Sequence, residues 1–259
     1  MKMFKKIILK VLLVIFFILM IYSSKEIYNW YIDNKNIEKE VKNINKKVKE
    51  IEEQNLEEII YDDSKFLNVK FLSKDLTDLE EINKELIGWI EIPSTNINYP
   101  FVKHTDNNYY LNHSFTKKNN EAGWLFLDYR NDLENDQNSI IYAHGRLDKS
   151  MFGSLKDTLS NKWLQEEHNH IVKISTKKAN YIYEVFSVYH IETTDDYLTT
   201  NYDDSDAYSN FLNKIKNRSL YDFTTNITEK NKILTLSTCY NDKEKMVLHA
   251  KLIKKQIRK

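Results

Sequence analysis

The chain of 259 residues holds a single cysteine, Cys239, at the end of the apolar, β-favouring run Ile233-Leu234-Thr235-Leu236-Ser237-Thr238-Cys239. A second run of the same kind, Ser139-Ile140-Ile141-Tyr142-Ala143, delivers His144 and then Gly145. A thiol and an imidazole at the ends of two buried strands are the minimum equipment for cysteine nucleophile chemistry. The thiolate attacks a carbonyl carbon, and a histidine nearby gives a proton to the departing amine. The competing reading of Cys239 is a small buried hydrophobe, and that of His144 a hydrogen-bonded structural residue. An odd cysteine in an exported chain is reactive, intermolecular or incidental.

Nucleophilic attack on an amide creates an oxyanion, for which a guanidinium is a well-shaped partner. The arginines are Arg130, Arg146, Arg218 and Arg258. None lies on the apolar segment after Cys239, which carries Lys245 and Lys251 instead. His168 and His170 are spaced as a metal pair might be, but no cysteine cluster or HExxH completes a site, so no metal is expected. There is no GxSxG, P-loop or dinucleotide fingerprint. Lys plus Arg and Asp plus Glu both number 38, and that balance gives no basic footprint for a nucleic-acid partner.

The elements that must carry these residues follow from patterning. Residues 7–22 read IILKVLLVIFFILMIY, apolar on every face but for Lys10, with Lys2, Lys5 and Lys6 before them. This is the pattern of a signal anchor across the membrane with a cytoplasmic N-terminus. A cleaved signal peptide is the rival, and it too implies export. The expected organisation is a basic tail (1–6), a membrane anchor (7–24), a helical stalk or extension (25–74) and a catalytic domain (75–259). From Asn34 to about Ile60 the pattern is helical. Ile37, Val41, Ile44, Val48 and Ile51 form a heptad-like seam that ends at Asn55. It serves either a stalk or a helix laid on the domain. A second helix is expected over Asp75–Leu86, with Leu76, Leu79, Ile82 and Leu86 on one face.

From Gly88 onward the pattern is of strands, at 88–92, 97–102, 123–127, 139–143, 170–175, 181–191, 232–237 and 245–253. Short helices are expected at 149–158 and 205–216. Pro100 marks an edge or bulged position. Many short strands with few helices indicate a mainly β protein, closed or nearly closed into a barrel.

Several stretches resemble the sortases, and among them class B. Thr235-Leu236-Ser237-Thr238-Cys239 resembles the family's TLSTC strand, and Tyr142-Ala143-His144-Gly145 its histidine strand. Residues 88–100, GWIEIPSTNINYP, resemble the class B opening GWIxIPxTxIxYP. Asn107-Asn108-Tyr109-Tyr110-Leu111 and Ser150-Met151-Phe152-Gly153 are similar to further class B stretches. The resemblance spans residues from about 75 to 255. It implies an eight-stranded β-barrel preceded by N-terminal helices, and a membrane-anchored extracellular cysteine transpeptidase needing no cofactor. Its implied partners are secreted proteins with a C-terminal sorting motif of NPxTx-like type and an amine of the peptidoglycan precursor or cross-bridge. Cys239 and His144 take the nucleophile and acid roles.

The family arginine before the final strand is replaced. The matching segment is KMVLHAKL, which begins at Lys245. Lysine keeps the charge and loses the bidentate fork. Either Lys245 substitutes, Arg146 reaches in from the histidine side, or activity is weak. Ser237, Tyr142, Thr193, Tyr197 and Leu198 match groove positions that contact the sorting peptide; ordinary wall or core roles are the alternative. Two rival functions stay open: a cysteine peptidase with water as acceptor, and a catalytically impaired binding protein on the same fold.

Overall fold

The computed structural model describes residues 2–51 and 56–258. It opens with one long helix, α1 (Lys2–Lys47). The apolar N-terminal part of α1 is exposed on all faces, from Met3 to Ile32. It is the one helix among the described residues long and apolar enough to cross a membrane. Further along the same helix the seam meets protein. Ile37 and Ile44 are buried, and Val41 and Val48 pack against the barrel core. Of the two readings of the seam, the structure places the helix on the domain.

The helical pattern stops earlier than the sequence suggests. α1 ends at Lys47, Asn55 lies outside the described residues, and Glu58–Ile60 form a strand, β1. The cause lies at the other end of the chain. The last strand outruns its partner, leaving an open edge at Lys254–Gln256 that β1 covers by antiparallel pairing. An uncovered edge would template aggregation. The second helix is also shorter, α2 (Thr77–Ile82). Asn83 ends it by turning inward, where its amide donates to Tyr110 Oη and the Phe115 carbonyl, both at 2.8 Å. Leu76, Leu79 and Leu86 are buried as expected, whereas Ile82 is exposed, and Leu86 opens a strand.

The remaining strands are β2 (Leu86–Glu91), β3 (Asn98–Val102), β4 (Phe126–Leu127), β5 (Asn138–Tyr142), β6 (Ile171–Thr176), β7 (Ala179–Glu192), β8 (Ile233–Cys239) and β9 (Glu244–Ile257). They run in the order β9-β7-β6-β2-β3-β4-β5-β8, and the β8–β9 pairing closes an eight-stranded barrel. Closure removes the sheet edges that alternating apolar strands would otherwise expose. Pro100 fits because β3 pairs with β4 only through Val102. At Pro100 the free carbonyl accepts from Trp124 Nε1 at 2.8 Å instead.

Two short helices complete the fold: α3 (Asn161–Leu164) and α4 (Ser205–Asn217). The helix expected at 149–158 is a 3₁₀ segment, Gly153–Leu159. Asp204 caps α4 by accepting from the Ala207 N–H at 2.6 Å. Tyr208, Phe211, Leu212 and Ile215 then bury one α4 face against Phe186 and Tyr189 of β7.

A polar chain crosses this core. The Thr235 hydroxyl donates to Asn138 Oδ1 at 2.6 Å, so its oxygen accepts from His249 Nδ1 at 2.9 Å. His249 Nε2 in turn accepts from the Tyr189 hydroxyl at 2.9 Å. Every partner is satisfied by the neutral ring protonated on Nδ1, the tautomer this network selects. Burial drives the His249 pKa down to about 3. The unfolded chain therefore binds more protons than the native one between about pH 6.5 and 3, so stability falls as pH falls through that window. A loss of about 2–3 kcal/mol by pH 4.5 is expected from this residue. Urea unfolding of wild type and His249→Gln at pH 7.5 and 4.5 measures it. Equal losses in the two proteins would remove His249 as the cause.

Candidate active site

The site begins with a parallel strand pair. β5 and β8 run side by side, and their last paired residues are Tyr142 and Ser237. His144 and Cys239 each follow by two residues, so the register alone carries both to one end of the barrel. Two further contacts hold the ends together. The Thr238 hydroxyl donates to the Ala143 carbonyl at 2.7 Å. Gly145 lies against Cys239 so closely that a Cβ there would be 2.1 Å from the Cys239 carbonyl oxygen. Only glycine fits, which accounts for the residue after His144.

Cys239 is exposed. Its cross-strand partner on β9 is Lys245, and the lysine Nζ donates to Cys239 Sγ at 3.3 Å. The tight turn between the two strands makes this pairing possible. The Tyr240 N–H donates to the Glu244 carbonyl at 2.8 Å, and Asn241 Oδ1 accepts from the Lys243 and Glu244 N–H groups. The turn therefore occupies the Tyr240 N–H, which leaves the Lys245 ammonium as the prominent donor beside the sulfur.

His144 is half-buried. Its Nε2 is 2.7 Å from the Leu111 carbonyl. A carbonyl only accepts, so Nε2 carries the proton there and Nδ1 remains for other chemistry. Gly123, at φ +60°, packs beside the ring; a Cβ at that position would sit 3.0 Å from His144 Cδ2.

Cys239, His144 and Lys245 line one cleft of about 760 Å³. Ser237, Tyr142, Thr193, Tyr197 and Leu198 line it too, so the structure gathers all the groove positions named from sequence. The buried Tyr197 hydroxyl is 3.0 Å from Ser237 Oγ. Arg146 is not among the lining residues. Its guanidinium donates to Ser150 Oγ at 2.9 Å, to Asp148 Oδ2 at 3.2 Å and to Asn34 Oδ1 of α1. His170 is a core residue: it is buried, Nε2 lies 3.0 Å from the Leu164 carbonyl, and its ring packs on Trp163 and Phe223.

Sequence reasoning missed the support beneath the cleft. Asp128 is fully buried and accepts from the Tyr142 hydroxyl at 2.9 Å, Asn107 Nδ2 at 3.0 Å, and Arg130 Nε and Nη2 at 2.9 and 2.8 Å. Burial opposes its ionisation, but these donors outweigh burial and hold the carboxyl below the usual range. Burial and the adjacent Asp128 push the Tyr142 phenol far up, so it stays a neutral donor. Arg130 Nη2 also donates to the Leu198 carbonyl at 2.9 Å, tying Asp128 to the segment that carries Thr193, Tyr197 and Leu198. Asp196 in that segment is held far below the usual range by the Arg218 guanidinium, bound at 2.6 and 2.8 Å, and by Lys214. No spacing rule marks Asp128. The motif Asn107–Leu111 was the one available signal.

A closed barrel that carries a lone exposed thiol, an imidazole and a cation to one cleft has the groups that cysteine-dependent acyl transfer requires. Comparison with known proteins gives the family. The Sortase domain profile matches residues 90–253. The chain is 38% identical over 181 residues to Sortase B of Staphylococcus aureus, covering 68% of this chain and 73% of that protein. It superposes on sortase B from B. anthracis with a TM-score of 0.70 at 33% identity, over 88% of this chain and 99% of that one. A Staphylococcus aureus sortase B–substrate complex gives a TM-score of 0.65 at 35% identity, over 69% and 84% of the two chains. The chain belongs to the sortase family, in its class B, and is a sortase-type transpeptidase.

Proposed function

We propose that the protein cleaves a C-terminal sorting motif of NPxTx-like type after its threonine and transfers the acyl group to a cell-wall amine. The observation that carries this reading is the exposed Cys239 Sγ, 3.3 Å from Lys245 Nζ and in one cleft with His144. The Cys239 thiolate adds to the threonine carbonyl carbon, and the carbonyl π electrons move onto oxygen. Lys245 stabilises that oxyanion. Collapse re-forms the carbonyl and breaks the C–N bond, while His144, as its imidazolium, gives a proton to the departing amine. The thioacyl enzyme keeps the acyl group activated. An incoming amine then attacks it, returns a proton to His144 and expels the Cys239 thiolate. The exposed apolar part of α1 acts as a single-pass anchor, with its basic tail in the cytoplasm and the barrel outside.

Intact-protein mass spectrometry after incubation with a panel of sorting-motif peptides tests the reading. A mass increase equal to the peptide's acyl fragment, mapped to Cys239, is expected. An added amine such as triglycine should release it as the amide. Absence of any adduct, in folded protein whose thiol still reacts with iodoacetamide, would leave a binding protein on the sortase fold. Release only as the free acid would leave a peptidase.

Lys245 has its own test. Lys245→Ala should lower the acylation rate about 100- to 1000-fold, the range for loss of one oxyanion donor. Lys245→Arg should raise it above wild type, because the fork reaches sulfur and oxyanion together. An unaltered rate in Lys245→Ala would take the lysine out of the mechanism.

A further inference from the structure

Both loops that meet at His144 are gripped by one short stretch of α1. Two residues after His144 comes Arg146, whose Nη2 donates to Asn34 Oδ1. The carbonyl that receives His144 Nε2 belongs to Leu111, at the start of a long loop that returns at Trp124, where the Trp124 N–H donates to the Tyr110 carbonyl at 2.9 Å. Gly123 of the same loop is the surface on which the ring lies. α1 holds this loop at three points. Glu40 Oε1 accepts from the Thr116 N–H at 2.8 Å, Asp33 Oδ2 from the Glu121 N–H at 3.3 Å, and the Asp33 carbonyl from Asn120 Nδ2 at 3.2 Å. Ile37, between these residues on the same helix, is buried in the barrel core. The contacts therefore come from about two turns of one helix, fixed by a buried apolar residue, and they reach both the ring's own loop and the loop of its hydrogen-bond acceptor.

We infer that α1 belongs to the catalytic apparatus, with Asp33, Asn34 and Glu40 as positioning residues that set the His144 ring against Cys239. This rests on His144 acting in the proposed reaction. A ring held by one carbonyl and one glycine surface has its orientation fixed only as well as those two groups are fixed. Small displacements of a catalytic group carry large rate penalties. The same helix continues without interruption into the exposed apolar segment, so whatever moves that segment relative to the barrel also loads the seat of His144.

The test uses the full chain in detergent micelles, with ¹⁵N-labelled histidine and a sorting-motif peptide that acylates the wild type. His144→Gln assigns the imidazole signals. In Asp33→Ala/Asn34→Ala, the His144 Nε2–H resonance should shift or broaden, and kcat should fall about tenfold with KM within twofold of wild type. Asn34→Asp, which keeps an acceptor oxygen for Arg146, should recover most of the rate in an otherwise wild-type helix. Lys35→Ala alters an exposed residue whose ammonium lies over Tyr31, on the same stretch, and should shift neither readout. An unmoved imidazole resonance, or an unmoved kcat, in the double variant overturns the inference. So does a loss in Asn34→Asp equal to that in Asn34→Ala, which keeps the test decisive even where the double variant is poorly folded. Should the wild type turn over no peptide, the proposed function falls, while the imidazole resonance still decides whether α1 seats the ring.

Discussion

Cys239→Ala is expected to form no thioacyl adduct with any peptide, a loss of more than about 1000-fold, and to melt within a few degrees of wild type. The two halves of this expectation have different sources. The chemical half follows from the lone thiol: Cys239 is the single cysteine in the chain, and no Ser-His arrangement of the GxSxG type stands in reserve. The structural half follows from exposure. Cys239 projects from the last residue of β8, so truncation removes a solvent-facing atom and leaves no cavity. Its backbone still pairs with Lys245, and the lysine loses only a contact of 3.3 Å. Parallel measurement of acyl adduct and thermal melting checks both. Residual acylation near the wild-type rate would remove Cys239 from the mechanism, and a collapse of melting temperature would show that the residue carries the fold.

How much of this was legible beforehand depended on the range of the interaction. The strands around Cys239 and His144 were readable because each is a compact apolar run, and the parallel register of β5 and β8 then brings their ends together. Lys245 was readable as a position and not as a contact, since it takes the four-residue turn at 240–243 to place Nζ near Sγ. β1 was misread as helix because three residues paired to a distant edge leave no periodicity of their own. Asp128 was invisible for a related reason. Arg130 lies two residues along the chain, but the carboxylate's place beneath the cleft comes from Tyr142 and Asn107, which lie on other segments. The seam on α1 could be seen, yet only the barrel shows which surface it faces.

His144→Gln should separate general-acid catalysis from mere assistance to the thiol. The leaving group of a peptide bond is an amine, which cannot depart as the anion, so its protonation is part of bond cleavage. Phenolate from an aryl ester departs without a proton. If His144 serves as the acid, the variant loses about 100- to 10,000-fold in acylation by the peptide and less than about tenfold in acylation by an aryl ester of the same acyl group. If instead the ring acts only by drawing the proton from Cys239, both substrates suffer alike, because both need the thiolate. Glutamine suits the purpose because its side-chain amide can still donate to the Leu111 carbonyl, where Nε2 now sits at 2.7 Å, while offering no group that titrates. The seat of the ring is thus kept and the proton transfer removed. Stopped-flow measurement of phenol release, set against mass-spectrometric acylation by the peptide, gives the two ratios. Equal losses with ester and amide would assign His144 to activation of the nucleophile and move the proton on the leaving amine to another donor in the cleft, for which the Lys245 ammonium, 3.3 Å from Sγ, is placed.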